Sequence, residues 1–306
     1  MKTYVIFNPA AARGKAGKRW PQVEKELESL HGPFISCFTE APGHATQLTR
    51  KALQEGAEKI IAVGGDGTVN EVVNGWFEND EPIDPEAILS VFMCRSGCDF
   101  QRSLIPRSFV KPLPKDDSSG ICRIDVGKAT FRDESDGNCV RYCANIASLG
   151  LSGEVGRFLI RHPELKRLGG QALFLYATLV QVLSCPQLHP GLHLDDASEV
   201  EIGSRLVVIA NGQFFGGGMQ VAPGALLDDG YFEVVWLEEM KLLTFLRHLP
   251  KVYWGRHIGI PGIQIKCAKK VEVLSQETVW LDIDGESPGK LDALFEILPG
   301  CLKIQL

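Results

Sequence analysis

Residues 60–77 read IIAVGGDGTVNEVVNGWF. Ile60, Ile61, Ala62 and Val63 form a short unbroken apolar run, the pattern of a strand buried on both faces of a parallel sheet. Gly64, Gly65, Asp66 and Gly67 follow at once. Three glycines in four positions admit torsions and close approaches that a Cβ would block. Val69, Val72, Val73, Trp76 and Phe77 then recur at the spacing of a helix with one buried face. Thr68 followed by Glu71 is a capping-box pattern at the start of that helix. Strand, glycine turn and helix N-terminus would aim backbone amides at one point, which suits an anion such as phosphate. Asp66 beside a polyphosphate calls for a cation or a sugar hydroxyl. Glycine turns of this kind also occur without any ligand, so the turn alone leaves both readings open. It is not a Walker A loop, because no GxxxxGK[ST] occurs. It is not a dinucleotide fingerprint either, since Asn70 stands where the last glycine is needed.

The 306 residues suffice for two domains with separate cores. An apolar fraction of 44% and a charged fraction of 23% are those of a soluble globular chain. A net charge of −6 argues against a broad nucleic-acid surface. The 9 cysteines are odd in number and form no CxxC pair, so reduced thiols in a cytoplasmic setting are expected rather than a disulfide framework or a zinc site. Met1 leads straight into a strand, and no signal peptide is expected. The longest apolar stretch, 173–183, contains Gln181 and is too short to span a bilayer. Membrane contact is therefore expected to be peripheral.

Residues 4–7 predict a first parallel strand. The basic, glycine-rich segment NPAAARGKAGK (8–18) follows it, then a helix from about 19 to 30. Arg13, Lys15 and Lys18 would lie near a phosphate or simply in solvent. Residues 34–38 predict a second strand ending at Thr39, and 43–55 a helix whose start holds His44. Strand–helix pairs at this spacing imply right-handed crossovers and a parallel sheet, with the turns after Phe7, Phe38 and Val63 on one edge. Another strand is expected at 87–92, and a Pro/Ser/Lys/Asp-rich linker at 106–120. Beyond it the pattern becomes strand-rich: 122–126, 139–146, 192–194, 199–202, 206–210, 231–237, 264–267, 271–274 and 279–283 predict a β-sandwich. Residues 133–138 predict a turn, and 155–160, 172–183 and 241–255 helices, the last interrupted by Pro250.

GGDGTVNEVVNG resembles the nucleotide-binding signature of the diacylglycerol kinase and sphingosine kinase superfamily, which NAD kinases and phosphofructokinases share in looser form. The NPxxGxxxxxK-like opening, the second-domain start Arg123-Ile-Asp125-Val-Gly127, GGGM…AP.A…DDG at 216–230 and LDIDGE at 281–286 follow in the family's order. The resemblance spans 8 to about 299 and implies an α/β fold. A Rossmann-like parallel-sheet nucleotide domain (1–118) would be joined to a C-terminal β-sandwich acceptor domain (119–299), and a return of 300–306 to the first domain stays open. The active site would lie in the cleft between them. It implies ATP and magnesium, with Asn8, Thr39, Gly64, Gly65, Asp66, Gly67, Thr68, Asn70, Glu71 and Ser96 on the nucleotide side. The segment MCRSGCDFQRSL (93–104) departs from the family's PxGTxNDFARSL. Ser96 keeps the threonine hydroxyl, Cys98 loses the asparagine amide, and Arg95 adds bulk and charge where a glycine is usual.

In the second domain the resemblance implies a structural magnesium on Asp229 with the carbonyls of Leu226 and Tyr231, and oxygen ligands are what magnesium takes. Asp228 would be an extra ligand or a solvated turn residue. Asp-Gly at 284–285 is a strong hairpin signal by itself. The family makes Glu286 the base that receives the acceptor proton, with Asp284 orienting it or binding metal. Asp66 would hold a catalytic magnesium through water. A lipid kinase follows, passing the γ-phosphate of ATP to a diacylglycerol-like or sphingoid-like hydroxyl at a membrane surface. Arg157, Arg161, Lys166 and Arg167 beside 173–183 would touch headgroups or form a solvated flank of a core helix. An NAD-kinase-like small-molecule kinase and, given Arg95 and Cys98, a non-catalytic nucleotide or lipid binder stay open. So does a homodimer.

Overall fold

The structure is a computed structural model that describes residues 1–93, 98–105, 120–168, 170–238 and 240–306. The chain divides into two compact units, Met1–Asp125 with Pro299–Leu306, and Val126–Leu298.

In the first unit β1 (Thr3–Phe7), α1 (Lys15–His31), β2 (Ile35–Phe38), α2 (His44–Gln54), β3 (Lys59–Gly64) and α3 (Asp66–Trp76) alternate. A short hairpin of β4 (Phe77–Glu78) and β5 (Glu81–Pro82) leads to β6 (Ile88–Met93) and α4 (Asp99–Leu104). The strands are parallel in the order β6-β3-β1-β2. β1 and β3 are wholly buried, as their unbroken apolar runs require. Val5, Phe7, Ile61 and Val63 pack against Ala16, Val23 and Leu27 of α1. α1 starts four residues earlier than its apolar spacing suggests, because Ala12, Arg13 and Gly14 all take positive φ and wind the chain directly into it. Trp76 and Phe77 are fully buried. Gly75 lets α3 lie against α2: a Cβ there would stand 2.5 Å from Thr46 O and 2.7 Å from Thr49 Cβ.

The second unit opens with β7 (Ile121–Arg132), which enters it from the first, and β8 (Asn138–Cys143), β9 (Ile146–Gly150), α5 (Leu151–Arg161) and α6 (Gly170–Ser184) follow. β10 (Gly191–Leu194), β11 (Val200–Glu201), β12 (Leu206–Ala210) and the hairpin β13 (Phe214–Phe215) and β14 (Met219–Gln220) come next. β15 (Phe232–Leu237), α7 (Leu242–Val252), β16 (Ile263–Ala268), β17 (Lys270–Leu274), β18 (Leu281–Ile283) and β19 (Lys290–Gln305) complete the chain. One antiparallel sheet has the order β16-β15-β12-β9-β18. A second runs β11-β10-β17-β19, with β7 paired to β19 and β8. Alternate residues of the two, among them Leu149, Val207, Ile209 and Val234 facing Val271, Val273, Phe295 and Ile297, form one core. This is the β-sandwich.

Two expectations are corrected. The strand foreseen over 139–146 is two strands, because the N–H groups of Ala144, Asn145 and Ile146 turn away from the ladder to a carboxylate described below. Residues 290–298, which carried no assignment, are the first half of β19, with Leu291, Ala293, Phe295 and Ile297 buried in alternation. The rest of β19 pairs in parallel with β6, Lys303 opposite Ile88 and Gln305 opposite Ser90, so the C-terminus is a fifth strand of the first sheet. Asp125, buried, accepts the Gly300 N–H at 2.7 Å where the strand bends.

Gly75→Ala is expected to lower stability by about 1–3 kcal/mol despite the better helix propensity of alanine, because its Cβ overlaps backbone that cannot move aside. A urea midpoint equal to or above that of the unchanged protein would contradict the packing.

Candidate active site

The carboxyl ends of β1, β2, β3 and β6 are in register: Phe7 lies opposite both Phe38 and Val63, and Gly64 opposite Met93. Asn8, Thr39 and Gly65 therefore emerge on one edge. Asn8 binds it together. Its N–H donates to Val63 O at 3.0 Å, its Nδ2 to Thr68 Oγ1 at 3.1 Å, and its Oδ1 accepts from Ala10 N–H at 2.9 Å. Thr39 is buried and donates its N–H to Phe7 O at 2.9 Å. Gly64 is required by sterics rather than torsion, since a Cβ would sit 2.3 Å from Thr68 Oγ1. Gly65 is extended at φ −111°, caps α3, and would point a Cβ into open space. Space in front of a helix N-terminus is what an anion needs. Arg13, Lys15 and Lys18 are exposed around the start of α1.

The capping box is not formed. α3 begins at Asp66, which places Thr68 inside the helix. The Glu71 carboxylate accepts instead from Gly43 N–H at 2.9 Å and Ala45 N–H at 3.0 Å, so it caps α2. Asn70 is buried, its Oδ1 accepting from Asn74 Nδ2 at 3.2 Å. Gly67 lies in the first turn of α3. Asp66 faces α4: its oxygens accept from Cys98 Sγ at 2.6 Å, Asp99 N–H at 3.2 Å and Phe100 N–H at 3.2 Å. Burial and the adjacent Asp66 charge push the Cys98 thiol far up, so it stays protonated and donates. The cysteine thus supplies a donor to Asp66. Arg95 and Ser96 lie outside the described residues.

In the second unit the LDIDGE turn is a two-residue hairpin. Ile283 and Glu286 exchange N–H···O bonds of 2.8 and 3.0 Å, and Asp284 and Gly285 take φ of 51° and 86°, both positive as a type I′ turn demands. Asp284 is the anchor. Its carboxylate accepts from Ile146 N–H at 2.8 Å, Ala144 N–H at 3.1 Å, Asn145 N–H at 3.2 Å and the Cys143 thiol at 3.1 Å. That occupation fits orientation of the turn rather than a ligand for metal. Glu286 stands exposed beside it. Asn145 and Asn211, both buried, extend the network: Asn145 Nδ2 donates to Phe214 O at 2.7 Å, and Asn211 Nδ2 to Ala144 O at 2.8 Å. Gly216, Gly217 and Gly218, all at positive φ, turn the β13–β14 hairpin that follows.

Asp229 Oδ1 accepts from Tyr231 N–H at 3.0 Å and closes the loop that carries Leu226. Burial and the charge of Asp228 raise the Asp229 carboxyl, and burial and Asp229 raise nearby Glu233. Among the described residues no ion pair neutralises either, and no three acidic, histidine or cysteine side chains are grouped to hold a metal. One carboxylate with main-chain carbonyls is a hard oxygen donor set, which fits magnesium in kind.

Asp282 escaped the sequence reading, where it is only one position of an alternating strand. It is buried, and burial together with the charges of Asp284 and Glu286 raises its carboxyl to about 7 against one opposing bond from Gly285 N–H. Arg157, read as either a headgroup contact or part of a solvated flank, is stacked 3.4 Å over the Trp280 ring and paired with Glu134 at 3.1 Å. Arg161 ends α5, exposed; the side chains of Lys166 and Arg167 lie outside the described residues.

A parallel α/β sheet with an anion-ready edge, together with a β-sandwich bearing an anchored acidic turn, has the parts of a two-domain kinase. Residues 2–129 match the family model described as diacylglycerol kinase catalytic domain, and residues 146–306 the one described as YegS C-terminal NAD kinase beta sandwich-like domain. A diacylglycerol kinase of Bacillus subtilis (strain 168) is 30% identical over 95% of this chain and 91% of its own. One from Staphylococcus carnosus (strain TM300) is 28% identical over 95% and 90%. A solved diacylglycerol kinase structure from Bacillus anthracis has the same fold, with a TM-score of 0.66 at 19% identity over 99% of this chain and 96% of its own. The chain belongs to the diacylglycerol kinase family.

The raised Asp282 carboxyl has a consequence for stability. An acid whose folded pKa lies above its unfolded value binds the extra proton in the folded state, so its contribution is lost as pH rises from about 4 to 7. Asp282→Asn removes that loss. The variant is expected to gain stability over the unchanged protein between pH 4 and pH 8, by a few kcal/mol at most. A stability difference that is flat across this range would contradict the burial of a titrating carboxyl.

Proposed function

We propose that this protein transfers the γ-phosphoryl group of ATP to the hydroxyl of a diacylglycerol-like or sphingoid-like lipid. The observation that carries the lipid acceptor is an apolar cavity in the second unit. α5, α6 and α7 wall it over the outer face of the five-stranded sheet, through Val155, Phe174, Val208, Val235, Phe245 and Val252. His248 and His257 also line it, and burial lowers both, which keeps them neutral. A cavity lined in this way suits hydrocarbon and repels a sugar or dinucleotide. Leu175, Tyr176, Leu179 and Leu183 on α6 are exposed along one face, a surface suited to peripheral contact with a bilayer.

The chain's own groups divide the work. Amides at Gly65 and the α3 N-terminus take phosphate oxygens, with Asn8 and Thr68 holding that edge in shape. Thr39 bounds it. Asp66 acts as a positioning residue by fixing the start of α4. Glu286 accepts the proton of the acceptor hydroxyl as the new P–O bond forms, and Asp284 keeps the turn in place. Asp229 with the carbonyls of Leu226 and Tyr231 would hold a structural magnesium. Magnesium bound with ATP would supply charge neutralisation at the phosphates.

The test is transfer of labelled γ-phosphate from ATP–magnesium into a chloroform-soluble pool made from total lipid extract. Label should enter lipid, Glu286→Gln should lower kcat by about 10²-fold or more, and Asp66→Asn should lower it by displacing α4. Full activity of Glu286→Gln would remove the assigned base. Label in a water-soluble product alone would favour a small-molecule kinase instead.

A further inference from the structure

Three of the buried side-chain oxygens without a hydrogen-bond partner lie around one buried carboxyl. Asp282 on β18 pairs in register with Ser148 on β9, so their side chains share a sheet face. α5 packs on both strands. Its Gly156 faces Asp282 closely: a Cβ on Gly156 would stand 3.3 Å from Asp282 Oδ2 and 3.9 Å from Ser287 Cβ. Ser152 is one turn earlier on the same helix face. The hydroxyls of Ser148, Ser152 and Ser287 are buried and have no partner. Ser148 is 0% exposed and Ser152 5%. Ser152 also lines the apolar cavity. The result is a polar notch, kept open by a missing Cβ, beside that cavity and near the Glu286 turn.

Among the described residues the carboxyl in this notch receives only the Gly285 N–H, at 3.1 Å. Neither Arg157, stacked on Trp280, nor any other described cation pairs with it. A buried carboxyl and three buried hydroxyls left in this state cost stability unless something fills them. What they lack is a donor. Gly156 in the middle of a helix is itself a cost of up to about 1 kcal/mol against alanine, and here it preserves the space.

We propose that the notch takes a hydrogen-bond-donating group of the acceptor lipid, a hydroxyl or an ammonium next to the hydroxyl that is phosphorylated, with Asp282 as the specificity-determining residue. This rests on the lipid kinase reading. Acceptors carrying such a second donor, a sphingoid base or a monoacylglycerol, are then favoured over a diacylglycerol, whose remaining oxygens are ester acceptors.

The experiment is steady-state kinetics with these three acceptors in detergent micelles, for the unchanged protein, Asp282→Asn and Gly156→Ala. Both variants should fold: one removes a costly buried acid, and the other improves a helix while pressing only on a side-chain end. The unchanged protein should favour the better donor-bearing acceptor over diacylglycerol by about tenfold or more in kcat/KM. Both variants should bring that ratio to within about twofold, through the acceptor KM, with the ATP KM unmoved. A diacylglycerol preference in the unchanged protein, or a ratio that survives both substitutions, would overturn the notch and leave the lipid kinase reading standing. Failure of the unchanged protein to phosphorylate any lipid would overturn that reading and the notch with it.

Discussion

A single carboxylate organises the acidic turn of the second unit. Asp284 sits at positive φ in the first position of a two-residue turn and gathers three backbone N–H groups and a thiol from 143–146. Hydrogen bonds to a charged acceptor are roughly twice as strong as neutral ones, and each amide left buried without a partner would cost about 1–3 kcal/mol. The break between β8 and β9, the position of Asn145 and, through it, the Asn211–Phe214 segment depend on this one residue. So does the placement of Glu286 beside it.

The nucleotide side has a comparable economy of parts. Asn8 uses both side-chain atoms and its N–H to join the ends of β1 and β3 to α3. Glu71 ties α3 to α2, and Asp66 ties it to α4. Asp66 and Glu71, two polar residues of the eleven-residue helix α3, are thus spent on aligning neighbours. A Cβ at Gly65 would point into open space at the start of α3. The Cys98 thiol, which looks like a loss when set against the family's asparagine, donates to Asp66.

Much of this was legible in the sequence, because it follows from local pattern. The apolar run at 60–63 and the helical spacing after it are properties of neighbouring residues, and so is the Asp-Gly hairpin signal. The misreadings have long-range causes. Glu71 fits a capping box until Gly43 and Ala45, 26 to 28 residues away, offer their amides. The alternation of 139–146 continues smoothly through Ala144 and Asn145, and the partner that breaks it is 138 to 140 residues downstream. β19 was readable in its alternation, yet Pro299 and Gly300 interrupt it, and the bonds from Gly300 N–H to Asp125 and from Arg123 to the Gly300 carbonyl hold the strand at that bend. Asp282 could not be told from an ordinary outward-facing strand position without knowing that α5 covers it.

The measurement that tests this account most directly is the combined kinetics and stability of Asp284→Asn. An amide of the same shape retains one acceptor oxygen but turns an NH₂ group toward a cluster of donors. If the carboxylate holds the turn, stability should fall by about 2 kcal/mol or more, and kcat should fall about tenfold or more with the ATP KM unchanged. Unchanged stability together with unchanged kcat would contradict the claim that this carboxylate positions the acidic turn.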